Sequence, residues 1–190
     1  LIVLLIFFQS KKFSIFRKTL CKIKIKLNCM ARIALSLRKI KYTDKKYFSK
    51  WWRDKTLLKL TSGILKLISD KEVDKYFQNI IKSKKDYHFM ITLDKKVIGH
   101  ISLTKRKNSW YEIQIVIGEK EYWGRGYGSQ SINFIVKRAR RLGISKIYLE
   151  VRLTNIRAIR AYEHCGFKKV KTILYPKNKH LPKTLRMELK

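Results

Sequence analysis

Acidic side chains are few in this chain. It carries 13 Asp and Glu against 46 Lys and Arg, a formal charge of +33 over 190 residues. Such a surface attracts anions without selectivity, nucleic acid and polyphosphate ligands among them, and bears on association rather than fold. The lysines are spread along the chain, not massed in one patch, which fits compositional drift as well as function. Proline is nearly absent, with two, and glycine is sparse, with eight. Collagen-like and proline-rich architectures are thereby excluded. Cys21, Cys29 and Cys165 make an odd count without a CxxC, so no disulfide framework is expected and a reducing cytoplasm fits. His88, His100, His164 and His180 lack metal-ligand spacing. His164 and Cys165 would point about 100° apart on a helix, a poor metal pair, and no metal is expected. The longest apolar run, residues 1–8, is far short of the roughly 20 residues of a spanning helix, so no transmembrane segment is expected.

At 45% hydrophobic and 12% aromatic, the chain can bury one sizeable core. Its first 29 residues read as foreign to that core. The apolar residues 1–8 precede Lys11, Lys12, Arg17, Lys18, Lys22, Lys24 and Lys26, with no acid among them. A secretory signal has its charge before the apolar stretch, not after. The domain is therefore expected to span 30–190 from Met30, with 1–29 an extension outside it: upstream translation or a disordered arm. A membrane-touching basic arm and a targeting sequence are the alternatives.

Periodicity gives the element order from there. Residues 32–41 read as a strand, and Thr43 and Asp44 can cap a helix through Trp52. Ser62 and Gly63 break the chain. Ser69 and Asp70 cap a second helix over 71–83. Residues 86–94 and 96–104 read as a hairpin turning at Asp94 and Lys95, and 110–117 as the next strand. A loop over 119–128 leads to a helix over 129–142 that Gly143 stops. A strand over 146–152, a helix over 155–165 and strands over 167–173 and 184–189 complete the chain. The order β α α β β β α β α β β predicts one mixed α/β domain. The strands before and after the 129–142 helix should be parallel neighbours.

Two stretches carry chemistry. The first is Tyr122-Trp123-Gly124-Arg125-Gly126-Tyr127-Gly128-Ser129, with three glycines in five residues just before a helix. Closely spaced glycines let amides turn together toward an anion, and the helix N-terminus adds free donors and a positive dipole end. The spacing is neither a dinucleotide fingerprint nor a P-loop. A tight strand–helix turn is the plain alternative. The second is Asn155-x-x-Ala158-x-x-x-Tyr162-x-x-x-Gly166-Phe167. At helical spacing these residues share one face, with Asn155 as N-cap, a small residue at 158 and a hydroxyl at 162.

Together, one strand apart, the two stretches closely resemble the GNAT superfamily of acyl-CoA-dependent N-acetyltransferases. The first resembles its pyrophosphate motif, Gln/Arg-x-x-Gly-x-Gly/Ala, with Trp123 where Gln or Arg is usual. The second matches its Asn-to-Phe signature at every position. The resemblance covers about 160 residues, from Arg32 onward, and implies a single GNAT-like α/β domain. Its mixed, mostly antiparallel, twisted sheet would have six or seven strands flanked by about four helices. It further implies that the backbone of Ile115, Val116 and Ile117 holds the pantetheine arm of acetyl-CoA. The Trp123 to Ser129 turn, through amides from Arg125 onward, would take the pyrophosphate. Asn155 would contact the cofactor arm, and Tyr162 would protonate the departing thiolate. Acetyl transfer in the superfamily is direct, so Cys165 is not needed as a nucleophile.

An amine must lose a proton as it attacks a thioester, and a carboxylate or a water ordered by one can take it. Glu150 and Glu112 are the candidates, each on a strand beside the two motifs; either could equally face solvent or a lysine. Trp51 and Trp52 are candidate walls of an acceptor pocket, or core. Arg125, Lys137, Arg138 and Arg160 are candidate phosphate contacts. The acceptor is expected to be a primary amine on a small molecule or on a protein N-terminus or lysine, and the enzyme a monomer or homodimer. A cationic acceptor would need a local acidic pocket, and Asp70, Glu72 and Asp74 are the densest acidic cluster in the sequence. The alternative function is a basic nucleic-acid or ribosome-associated protein on a degenerate version of the same fold.

Overall fold

A two-residue turn sets the sheet. Asp94 and Lys95 both take positive φ, 46° and 70°, the conformation that matches strand twist in tight hairpins. They join β2 (Tyr87–Leu93) to β3 (Lys96–Lys105). In the computed structural model, which describes residues 34–61 and 66–190, β1 (Leu35–Lys39) pairs with β2 and β4 (Tyr111–Ile117) with β3, all antiparallel. The chain then crosses over to β5 (Ile147–Val151), parallel to β4. A hairpin of β6 (Phe167–Leu174) and β7 (Lys183–Leu189) closes the order as β1-β2-β3-β4-β5-β7-β6. The boundary expected at residue 30 and the break at Ser62 and Gly63 lie outside the described residues.

Five helices are present among the described residues: α1 (Lys45–Trp51), α2 (Lys55–Thr61), α3 (Asp70–Lys82), α4 (Tyr127–Arg141) and α5 (Ile156–His164). The sequence predicts four of them. The missed one, α2, is seven residues long, too short to show a period. It forms because Asp54 accepts from the amides of Thr56 (2.8 Å) and Leu57 (3.2 Å) while Leu57 and Leu58 bury themselves. By contrast α3 carries the full capping box. The Ser69 hydroxyl accepts from the Glu72 amide, and the Glu72 carboxylate accepts from the Ser69 amide at 2.7 Å.

The sheet buries both faces. On one, Ile91, Ile101 and Ile113 meet Ile132, Ile135 and Ile159 of α4 and α5. On the other, Met90 packs with Phe48, Trp51 and Phe77 of α1 and α3. A bulge divides the first hairpin: Thr92 pairs with Val97 but Ile91 with Gly99, so Ile98 is the extra residue. Its carbonyl instead accepts from the amides of Gly118 (2.9 Å) and Glu119 (3.2 Å), which ends β4.

One ion pair ties β1 to the first turn of helix. Asp44, 2% exposed, receives both terminal nitrogens of Arg38 (2.8 and 2.6 Å) and the Lys41 amide (2.7 Å). Burial alone would raise its carboxyl, but these donors outweigh burial and hold it below the ordinary aspartate range. Asp44→Ala should cost about 2–4 kcal/mol, less than for a fully buried pair because Arg38 reaches water. The group's lowered value means this stability is present at neutral pH and is lost as pH falls through the acid range below about 4. Urea melts of both proteins at pH 7 and pH 3 should show a gap in midpoint that shrinks at the lower pH.

Candidate active site

The two central parallel strands part company almost at once. β4 and β5 pair only at Tyr111–Ile147 and Glu112–Tyr148, although β4 runs five residues further. The wedge between them opens into a cavity of about 830 Å³ lined from both strands and from α1, α2, α4 and α5. Its rim on β4 is readable from the ladder. The Tyr111 amide bonds toward β5 (Lys146 O, 2.8 Å) and the Gly118 amide toward β3. Alternation then turns the backbone of Ile113, Ile115 and Ile117 to the open edge and that of Val116 to β3. Of the three residues singled out in the sequence, Ile115 thus offers an unpaired edge amide and carbonyl and Ile117 an edge amide, its carbonyl being taken by Trp123, while Val116 lines the wall.

The glycine turn sits at one end of this edge. Gly124 and Gly126 take φ of 75° and 79°, and Gly126 caps α4 with no side-chain cap bond. The helix therefore begins at Tyr127, two residues earlier than the sequence predicts, and the amides of Tyr127, Gly128 and Ser129 have no acceptor within it. A Cβ placed on Gly124 or Gly128 would meet nothing within 4 Å, so backbone amides border open space there. An anion can approach to hydrogen-bonding distance. Trp123 does not face this space as a phosphate ligand. Its indole N–H donates to the Ile117 carbonyl at 2.7 Å, and Arg157 stacks on the ring at 4.7 Å. Arg157 is the cation at this end that sequence reading missed. Arg125 and Arg160 are exposed. Lys137 and Arg138 lie about 15 Å further along α4, with Arg138 stacked on Phe89.

Across the wedge, α5 presents the second motif. Asn155 caps the helix, its side-chain oxygen accepting from the Ala158 amide at 3.2 Å. Tyr162 packs against Phe167 with ring centroids 6.5 Å apart. Burial pushes its phenol up to about 12, and its hydroxyl has no hydrogen-bond partner among the described residues. Cys165 directs its thiol at the Ser129 carbonyl (3.5 Å), and burial raises it above the ordinary thiol range.

The two candidate carboxylates line the same cavity in different states. Glu112 is taken: Arg106 donates to its Oε2 through Nε (2.8 Å) and Nη2 (2.5 Å). Glu150 forms no ion pair with a described residue. Its Oε2 accepts from the hydroxyls of Tyr175 and Thr184, both at 2.6 Å. Arg186, opposite it on β7, is turned to Glu188 and stacked on Tyr148. The tryptophans also divide. Trp51 is 3% exposed and lies flat on the chain, so that a Cβ on Gly118 would fall 2.0 Å from its ring. Its N–H holds Glu119. It is core first, with an edge on the cavity. Trp52 is half-buried and meets Phe48 and Tyr76 edge to face.

Two histidines complete the wall, and the sequence gives them no role. His88 Nδ1 lies 3.2 Å from His100 Nε2 with the rings stacked. Burial and its neighbour His88 push His100 down to about 3 and keep it neutral. They share a face only because of the bulge at Ile98. A regular hairpin would pair His88 with residue 101 and send His100 to the other side. The available signal is Gly99, a glycine inside a strand, where a Cβ would lie 2.3 Å from the Val116 carbonyl.

The acetyltransferase (GNAT) family model matches residues 46–167. The chain belongs to this family. A 74-residue stretch is 32% identical to an uncharacterized protein of Methanocaldococcus jannaschii. It covers 39% of this chain and 15% of that protein, far less than the relative's full length. Among solved structures, the fold matches spermidine N-acetyltransferase of Vibrio cholerae in complex with CoA and spermine. The TM-score is 0.71 and the identity 22%, over 82% of this chain and 94% of that one. It also matches aminoglycoside acetyltransferase AAC(6')-Ib in complex with paromomycin and acetyl-CoA, with TM-score 0.70 and 17% identity over 83% and 93%. In this GNAT domain the acidic cluster of the sequence is no pocket. Asp70 pairs with Arg53, Asp74 with Lys45, and Glu72 is used in its helix cap. Among the described residues, no helix is long and apolar enough to cross a membrane.

Proposed function

We propose that this protein transfers acetyl from acetyl-CoA to a primary amine, with Glu150 receiving the amine and Tyr162 serving the leaving thiol. The observation that carries the reading is the opened β4–β5 wedge. It has free amides at one end and, among the described residues, a phenol without a hydrogen-bond partner in the middle and a carboxylate without an ion pair on the far strand. Acetyl-CoA supplies an activated acyl group on a thioester. The amides of Tyr127, Gly128 and Ser129 would hold its pyrophosphate, with Arg157 nearby and the Asn155 side chain beside the arm. Ile115 and Ile117 would bond the pantetheine amides as an added strand does, with the Ile117 carbonyl already accepting from Trp123. An open-edge amide of this strand is also suited to stabilise charge developing on the carbonyl oxygen.

Glu150 has its charge uncommitted and its orientation fixed by two hydroxyls. It attracts the ammonium and removes its proton, directly or through a water. Glu112 is the poorer candidate because Arg106 occupies its Oε2 with two hydrogen bonds. The nitrogen then forms the amide bond as the carbon–sulfur bond breaks, and the electron pair stays on sulfur, beside the Tyr162 hydroxyl. The neighbours' complexes with CoA and acetyl-CoA support this ligand class on the shared fold.

The test is the melting temperature of the full chain with acetyl-CoA and with inorganic polyphosphate at matched charge. At 100 times its dissociation constant a ligand adds about 2.7 kcal/mol, here about 5–10 °C. A shift with acetyl-CoA alone is the expected result. Equal shifts would mean that the basic surface binds any polyanion, and the nucleic-acid reading would take precedence.

A further inference from the structure

We infer that the acceptor is an amine bearing one positive charge beside an apolar body, not a polycation; this rests on the acetyltransferase reading. The argument is an inventory of negative charge. All 13 carboxylates of the chain fall in described residues, because residues 1–33 and 62–65 contain no Asp or Glu. Nine of them pair with a Lys or Arg among the described residues. Of the other four, Glu72 closes a helix cap, Asp86 accepts from the Ser83 hydroxyl and the Lys105 amide, and Asp94 sits in the β2–β3 turn. Among the described residues, only Glu150 both lines the cavity and has no ion pair.

Apart from Glu112, which Arg106 holds, the rest of the cavity lining is apolar, neutral or basic. Phe48, Trp52, Leu57, Leu58, Leu60 and Ile80 form its wall. The His88–His100 pair adds polarity without charge, since burial keeps His100 unprotonated. Arg152 and Arg157 also line the cavity. A polyamine or aminoglycoside brings several ammonium groups into this space. One of them meets Glu150, and the others meet hydrocarbon, neutral imidazoles or a guanidinium, on a protein already at +33. A single ammonium on an aromatic or aliphatic group meets Glu150 and buries its body against the wall. Two sources share this chemistry: an arylalkylamine and a peptide N-terminus with an apolar first residue.

The experiment measures CoA thiol release by the full chain with 2-phenylethylamine, a Leu-initiated tripeptide, spermidine and kanamycin. Calorimetry of each acceptor in the presence of CoA runs in parallel. The better of the two monocationic acceptors should exceed both polycations by about 100-fold in kcat/KM, with the same order in affinity; which of them leads identifies the source. Gln114 is exposed and lines the same face. Gln114→Glu adds a second uncommitted carboxylate and should raise kcat/KM for spermidine about 10-fold more than for 2-phenylethylamine. Spermidine or kanamycin leading with the native chain would overturn the inference, and an intact acetyl-CoA melting shift would then leave the acetyltransferase reading standing. Loss of that shift would remove both. No relative gain for spermidine in the Gln114→Glu protein would show that charge does not govern the choice, which also overturns it.

Discussion

Glu150→Gln is expected to lower kcat/KM for the amine by about 10²–10⁴-fold and to leave the acetyl-CoA melting shift unchanged. The substitution is nearly isosteric. The side-chain carbonyl can still accept from Tyr175 and Thr184, whose hydroxyls both reach Oε2 at 2.6 Å in the native chain. What disappears is the one cation-free carboxylate on the cavity wall, and with it both the attraction for the ammonium and the proton acceptor. The comparison that isolates this is Glu112→Gln, which releases Arg106 from a pair on the same wall. Its cost should fall mainly on stability, about 1 kcal/mol or less for a partly exposed pair, with the smaller effect on turnover. The assay is steady-state acetylation by both variants over a range of amine concentrations at saturating acetyl-CoA, with melting curves to confirm folding. Equal losses in the two variants would assign the base role to neither carboxylate alone.

The contrast between these two acids shows what the sequence could and could not carry. Motifs made by neighbours along the chain were legible: the Ser69–Glu72 capping box, the Asp94–Lys95 turn, the glycine turn before α4 and the Asn155 cap. Each depends on backbone conformation within a few residues. The parallel pairing of β4 with β5 was legible too, because the handed crossover leaves few alternatives. Whether Glu112 is free was not, since that depends on Arg106 coming back across a turn in which Asn108 and Ser109 both take positive φ. The indole bond from Trp123 to Ile117 belongs to the same class. A large side chain at that position reads as a departure from the pyrophosphate motif, yet it braces the loop against the strand it left. The histidine pair is the furthest from view. One extra residue at Ile98 decides which face of the sheet His100 occupies, and alternation alone gives the opposite answer.

Tyr162→Phe should lower kcat by about 10–100-fold and preserve acetyl-CoA binding. The magnitude follows from the phenol's environment. A catalytic acid that delivers its proton completely can contribute up to about 10⁴-fold. Burial pushes this phenol up to about 12, whereas a thiol ordinarily titrates near 8.5. Complete transfer to a free thiolate is then uphill by about 5 kcal/mol. A hydrogen bond from the phenol to sulfur as charge builds is not opposed in this way, and such a bond to a charged group contributes about 1.5–3 kcal/mol, which is the stated range in rate. Tyr162 therefore acts by stabilising the thiolate more than by neutralising it. Two measurements separate these roles. A hydrogen-bonding Tyr162 gives kcat with no alkaline decline below about pH 11, because a phenol at about 12 stays protonated there. It also gives a Phe variant whose rate depends more steeply on the acidity of the leaving thiol, tested with acyl donors of graded thiol pKa. If the variant matches the native rate on every donor, water rather than Tyr162 meets the thiolate. A loss near 10⁴-fold would instead require full proton transfer, and with it a phenol far more acidic in the loaded site than in the empty one.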